Sequence, residues 1–159
     1  MKILLLTPFY RPDNYGGAVK VYESLCKNQD FEAHIICPIS KIEFDDKAYF
    51  EDTNIKIHRC PKIQFSFSSD RVLSRVREYI NYRSSVKNQV LNEIKLIKPD
   101  LIINGGVRWF GWLNSEFMKL APVMNYIHGE ELSIKPVGLF GKWLLKTQNK
   151  TFSEVALNL

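Results

Sequence analysis

Two glycine pairs and one histidine are the residues whose types and spacing could do chemistry in this chain. Gly16-Gly17 close a loop rich in aromatic, Pro, Asp and Asn residues and open a helical pattern in which Val19, Tyr22, Leu25 and Cys26 fall three and four apart. A helix that begins on glycine leaves its first N–H groups unpaired, and its N-terminus carries roughly half a positive charge, so the spot favours an anion. The same pair also reads as a plain helix-entry turn. Asn104-Gly105-Gly106 repeats the arrangement after a later apolar run and carries the same two readings. His128 stands alone beside Gly129, either as a structural histidine or as a group at a reaction centre. Glu130 and Glu131 cannot together be an acid–base pair across a glycosidic bond, because adjacent residues do not hold two carboxyls ~5–10 Å apart on either side of a substrate. At most one of them acts.

Other chemistries are excluded or weakened by what is missing. A dinucleotide fingerprint needs a tight G-x-G-x-x-G turn directly after the first strand, whereas a long loop intervenes here. No glycine precedes a Gly-Lys-Ser/Thr triplet, so there is no phosphate P-loop. Asp45-Asp46 lies in a polar stretch rather than after a buried strand and reads as solvated loop. Cys26, Cys37 and Cys60 are odd in number and widely spaced; they indicate neither a metal signature nor a disulfide framework and read as small buried hydrophobes in a reducing cytoplasm. No cofactor and no metal are expected.

These residues need elements to position them. Ile3-Leu4-Leu5-Leu6 is too short and too uniformly apolar for anything but a strand buried on both faces. Further strands are expected at Ala33–Pro38, Ile55–His58 (alternating, hence an edge or a half-exposed face), Leu101–Asn104 and Pro122–Ile127. Residues 39–52 read as a loose acidic excursion. Apolar residues recur at helical spacing from Asp70 to Ile97; one helix of that length would span ~40 Å, so a break is expected near Asn81–Ser85. A Trp-rich helix is expected over Trp109–Leu120, and an amphipathic one over Val137–Leu159. Strands alternating with helices predict an α/β domain over residues 1–159, a Rossmann-like doubly wound parallel sheet of order 3-2-1-4-5 with helices on both faces. In that order the loops Pro8–Gly17, Asn104–Trp109 and His128–Glu131 converge at the carboxyl ends of strands 1, 4 and 5, where such sheets bind ligands.

With 159 residues, 45% hydrophobic and 25% charged, the composition is that of a soluble globular domain. No apolar run approaches the eighteen or so residues of a membrane-spanning helix. The net charge of +5 is concentrated: residues 71–98 hold seven Lys or Arg against Glu78 and Glu93, a surplus equal to that of the whole chain. That stripe reads as a solvated face or as a contact with an anionic membrane surface. Nucleic acid is disfavoured because aromatics do not interleave with the basic residues.

The apolar strand, Pro8-x-Tyr10-x-Pro12, Gly16-Gly17, AHIICP (33–38), KPDLIINGG (98–106) and His128-Gly129-Glu130-Glu131-Leu132 together resemble, in order and spacing, the first domain of bacterial glycosyltransferase family 4 (group 1) enzymes. The resemblance implies the acceptor-side half of a GT-B architecture, in which two Rossmann-type domains face each other across a cleft. It implies a retaining transferase that moves a sugar from a nucleotide-sugar donor to a glycan or lipid-linked acceptor in surface polysaccharide biosynthesis, without metal; the expected location is the cytoplasm, with the basic stripe 71–98 as the element able to meet the inner face of the membrane. Gly16 and Gly17 would then approach the donor diphosphate, and His128 would be catalytic near the donor sugar. Tyr10, Arg11, Arg108 and Trp109 would line the acceptor, with Asn104, Gly105, Glu130 and Glu131 in support. The chain ends at Leu159, before the nucleotide-sugar domain the family carries, so the resemblance implies a truncated domain, inactive alone, with an open sheet edge able to pair with a second copy. The competing expectation is a non-catalytic, flavodoxin-like binding or regulatory module.

Overall fold

Five short runs pair in parallel into one sheet of order β3-β2-β1-β4-β5, with β1 at Lys2–Leu6, β2 at Glu32–Cys37, β3 at Ile55–Arg59, β4 at Leu101–Asn104 and β5 at Val123–Asn125. The structure is a computed structural model and describes residues 1–14, 16–27, 31–63 and 72–126, with Lys142 and Lys146 as isolated positions. The expected helix start at Asp70, the loop His128–Glu131 and the helix over 137–159 lie outside the described residues. β1 is the centre of the sheet because its residues are apolar on both sides: Ile3 and Leu5 face one layer, Leu4 and Leu6 the other. The α/β class, the parallel pairing and the strand order are those read from the sequence. A flavodoxin-like sheet, by contrast, runs 2-1-3-4-5, which this order is not.

Helices cover both faces. On the Ile3/Leu5 side lie α1 (Gly17–Cys26), through Val19, Tyr22 and Cys26, and α2 (Asp46–Thr53), through Tyr49. On the Leu4/Leu6 side lie α3 (Val72–Ile97), through Val86, Val90, Ile94 and Ile97, and the segment holding α4 (Val107–Phe110) and α5 (Asn114–Phe117). Leu25, expected on the buried stripe of α1, is exposed, and Glu23 takes a buried place instead.

Three element expectations are corrected. α3 runs without the break expected near Asn81–Ser85, for 26 residues. It contains no Gly or Pro, and it is far longer than strands of this length; its carboxyl half packs on the sheet while Tyr79 and Tyr82 continue the contact onto Ile63 and Cys60. Tyr82 donates to the Ile63 carbonyl at 3.1 Å. The excess length explains why Ile80, counted in the apolar pattern, is 56% exposed. Residues 39–52 are not all loop: Asp45 caps α2 by accepting from the Lys47 and Ala48 amides, and Asp46 pairs with Arg59 at 2.7 Å. The helix expected over Trp109–Leu120 is split into α4, a 3-10 turn at Gly111–Leu113 and α5. Gly111 weakens a continuous helix there, and the Trp112 indole takes the Trp109 carbonyl at 2.7 Å.

Two helices end on left-handed residues. Asn54 (φ 58°) terminates α2 and Lys98 (φ 52°) follows the last turn of α3, with Pro99 preventing continuation. The Lys2 ammonium donates to the Ile97 carbonyl at 2.9 Å, tying that end to β1.

Candidate functional site at the switch point of the sheet

The crossovers from β1 and from β4 leave the sheet in opposite directions, so their connections diverge over the carboxyl ends of adjacent strands. Divergence of this kind marks the switch point, over which sheets of this order usually bind ligands in a crevice. One wall is the loop from Thr7 to Gly16. Thr7 is buried, donates its amide to the Ile36 carbonyl at 3.0 Å and bonds Phe9 through its hydroxyl. The loop is then pinned twice more. The Asp13 carboxylate accepts from the Lys41 amide at 3.0 Å and from the Ser40 hydroxyl at 3.1 Å, joining the loops that follow β1 and β2. Arg11 forms a two-point ion pair with Glu23 of α1, its Nη2 at 2.7 Å from Oε2, and the Tyr49 hydroxyl donates to Glu23 Oε1 at 2.8 Å. The Tyr10 and Tyr49 hydroxyls lie 3.0 Å apart.

This network decides the charge states of its members. Burial would raise the Glu23 pKa, but hydrogen bonds from Arg11 and Tyr49 outweigh it and hold the carboxyl below its ordinary range. Burial pushes both Tyr10 and Tyr49 well up, so both remain neutral phenols. Asp13 is held low chiefly by the Lys41 amide.

The amino end of α1 opens beside this loop. Gly16 precedes it in extended backbone and donates its amide to Asn14 Oδ1 at 2.8 Å; no side chain caps the helix and no acid occupies its first turn. A Cβ built on Gly17 would meet none of the described residues within 4 Å. Among the described residues no side chain or acid cancels this helix end, which suits an anion. The opposite wall is Asn104-Gly105-Gly106. The Gly105 amide donates to the Leu6 carbonyl at 2.9 Å, and its carbonyl accepts from the Tyr22 hydroxyl at 2.7 Å. A Cβ on Gly105 would sit 2.5 Å from the Tyr22 hydroxyl, and one on Gly106 2.5 Å from Pro8 Cδ. These glycines are required by close packing.

The predicted residues distribute unevenly around the crevice. Gly16 and Gly17 are exposed beside it, whereas Asn104 and Gly105 are buried beneath the turn after β4. Tyr10 is 3% exposed and Arg11 is engaged by Glu23, so both hold the loop in shape rather than present a free surface. Trp109 is half-buried and meets the exposed Phe9 edge to face, with ring centroids 6.3 Å apart. Arg108 lies on α4. His128, Glu130 and Glu131 lie outside the described residues. Among the described residues no group of three His, Cys, Asp or Glu is placed to hold a metal ion, and no helix is long and apolar enough to cross a membrane. No protein-family model matches the chain, and no curated protein matches it significantly.

Several residues that shape the site were not singled out from sequence. Glu23 carries a signal in retrospect, since a carboxylate sharing a helical face with Val19, Tyr22 and Cys26 must find a partner. Asp13 and Tyr49 carry none, because their partners are distant in sequence. Asn114 and Asn125 extend Asn104 into a chain of amides: Asn104 Nδ2 donates to Asn114 Oδ1, and Asn114 Nδ2 to Asn125 Oδ1, both at 2.9 Å.

Proposed function

We propose that the chain is the acceptor-side domain of a retaining, GT-B-type glycosyltransferase that extends a glycan or lipid-linked acceptor from a nucleotide-sugar donor. The observation that supports this reading is the uncapped amino end of α1 at the sheet's switch point, with none of the described residues within 4 Å of a Cβ placed on Gly17, beside a loop pinned by Arg11–Glu23 and Asp13. In transfer with retention, the acceptor hydroxyl attacks the anomeric carbon from the side the diphosphate leaves. The bond to the diphosphate breaks with its electron pair, and the hydroxyl proton passes to a departing phosphate oxygen. The chemical demand is stabilisation of that growing negative charge, which fixed N–H dipoles meet without reorganising. His128, from its sequence context, would sit near the sugar. The half-buried Trp109 and exposed Phe9 offer an aromatic surface to a glycan ring. A second domain would supply the nucleotide pocket, and the work would be done on the cytoplasmic side of the membrane, with residues 71–98 toward anionic lipid.

The test is transfer of labelled sugar, from a panel of nucleotide sugars, into a bacterial lipid extract by the protein that contains this chain. Transfer by the unaltered protein, reduced at least tenfold in Gly17→Val and His128→Ala, is the expected result. No transfer from any donor, or full turnover in both variants, overturns the reading.

A further inference from the structure

The three asparagines at the carboxyl ends of β4 and β5 form a chain whose direction is forced. Asn104 is fully buried and accepts, through Oδ1, from the Gly106 amide at 3.2 Å. A backbone N–H only donates, so that atom must be oxygen and the other must be the NH2 group. Asn104 Nδ2 therefore donates to Asn114, whose Oδ1 is consumed, and buried Asn114 must present its own NH2 to Asn125 Oδ1. The order propagates without ambiguity to the last member. Asn125 spends its oxygen on Asn114 and ends the chain as a donor, its NH2 group without a protein acceptor among the described residues.

The location gives that donor a use. Asn125 is the last residue of β5, partly exposed, and pairs in register with Asn104, one strand away from the switch point. Between them and the crevice the chain turns on Gly105-Gly106, which add no side chains. Two buried amides are spent on orienting a third whose donor group is left over, and each donor in such a chain polarises the next. We propose that the Asn125 amide is a preset hydrogen-bond donor to an oxygen of a ligand bound over β4 and β5, the oxygen belonging to a phosphoryl group or to a sugar hydroxyl. Asn114 is the positioning residue, and Gly106 sets the sense of the whole chain. The assignment does not depend on the reaction the protein performs, so it can stand or fall apart from the transferase reading.

One substitution separates donor from scaffold. Asn125→Asp keeps the oxygen that accepts from Asn114 and replaces the leftover NH2 by a second oxygen. Asn104→Asp, in contrast, sets an oxygen against Asn114 Oδ1, so that the chain must turn over or open, and it places a carboxylate at the fully buried end. The experiment follows the side-chain NH2 resonances of the full 159-residue chain by NMR. Inorganic pyrophosphate and methyl α-D-glucopyranoside are titrated separately, so that the two oxygen sources are distinguished. The expected result is a saturable shift of the Asn125 pair with one probe, binding at least tenfold weaker in Asn125→Asp, and an unchanged urea midpoint for that variant. Asn104→Asp is expected to lower the urea midpoint clearly. An Asn125 pair that neither probe moves, or an Asn125→Asp variant that binds within twofold of the parent, overturns the proposal. So does an Asn125→Asp variant as destabilised as Asn104→Asp, which would reverse the deduced direction.

Discussion

Gly17 and Gly105 both follow strand-to-helix turns, yet they respond oppositely to an added methyl group. No described residue approaches a Cβ on Gly17, and alanine is the better helix former, so Gly17→Ala is expected to leave stability unchanged or raise it by up to about 1 kcal/mol. Gly105→Ala forces a Cβ against the Tyr22 hydroxyl and Leu5, and a loss of about 1–3 kcal/mol is expected from overpacking. Urea unfolding of the two variants checks the contrast; equal losses would mean that the crevice is as closed on the α1 side as on the other. A second set of residues predicts a pH dependence away from the crevice. His34 Nε2 lies 3.0 Å from Glu32 Oε1, His34 Nδ1 lies 2.9 Å from His58 Nε2, and His58 Nδ1 lies 3.5 Å from Glu93 Oε2. Lys56 faces the same group through Glu32. Burial is the largest influence on both histidines and lowers both below the ordinary 6.5, against the pull of the two carboxylates. Each is then protonated more readily in the unfolded chain, so stability is complete above about pH 6.5 and falls as the pH drops below it. His34→Gln is expected to flatten the fall in urea midpoint between pH 6.5 and 5. A midpoint that rises over that interval in the parent would show that the carboxylates dominate instead.

Elements divide the work between a scaffold and a shaped loop. α3 stabilises the sheet through its carboxyl half, where Val90 is fully buried, whereas Ile80 on the amino half is open to solvent. Val90→Ala should cost about 2 kcal/mol and Ile80→Ala less than about 0.5 kcal/mol, measured by denaturant unfolding. Equal costs would mean that the exposed half is covered in solution. The loop after β1 is tied to α1 by the Arg11–Glu23 ion pair. Glu23→Gln removes the carboxylate that the largely buried Arg11 guanidinium meets at two points, and a loss of about 3 kcal/mol is expected. The change should also shift the amide resonances of Gly16 and Gly17, since the loop reaches α1 through Arg11. Glu23 could be suspected from sequence, being a carboxylate on an apolar helical face. Its partners could not: Arg11 and Tyr49 are brought to it only when the loop folds over α1 and α2 docks on the same side of the sheet. The unbroken α3 has a similar explanation. Periodicity extended across Asn81–Ser85 all along, and the expected break came from comparing helix length with domain width, whereas the helix simply overruns the strands.

For the whole molecule, one sheet is shared by two apolar layers, so neither layer can be lost without exposing β1. Unfolding should therefore be a single transition, with indole fluorescence and far-UV circular dichroism superimposing. Amide exchange should be slowest at Leu4, Leu5 and Leu6 of β1, which has partners on both sides, and faster at the β3 edge. Displaced transitions would mean that the two layers fold independently. The α/β class, the parallel sheet and the central place of Ile3–Leu6 were legible in the sequence because uninterrupted apolar runs suit only strands covered on both faces, and right-handed crossovers leave few orders to choose from. The glycine pairs were legible as turns for an equally local reason, the absence of a side chain. What the tertiary structure alone decided is which polar groups meet. Arg11 is given to Glu23, Asp13 to the loop after β2, and Asn104 to Asn114 and Asn125. Such pairings join residues far apart along the chain, and no periodicity records them, because each depends on where strand order and loop direction carry its two ends.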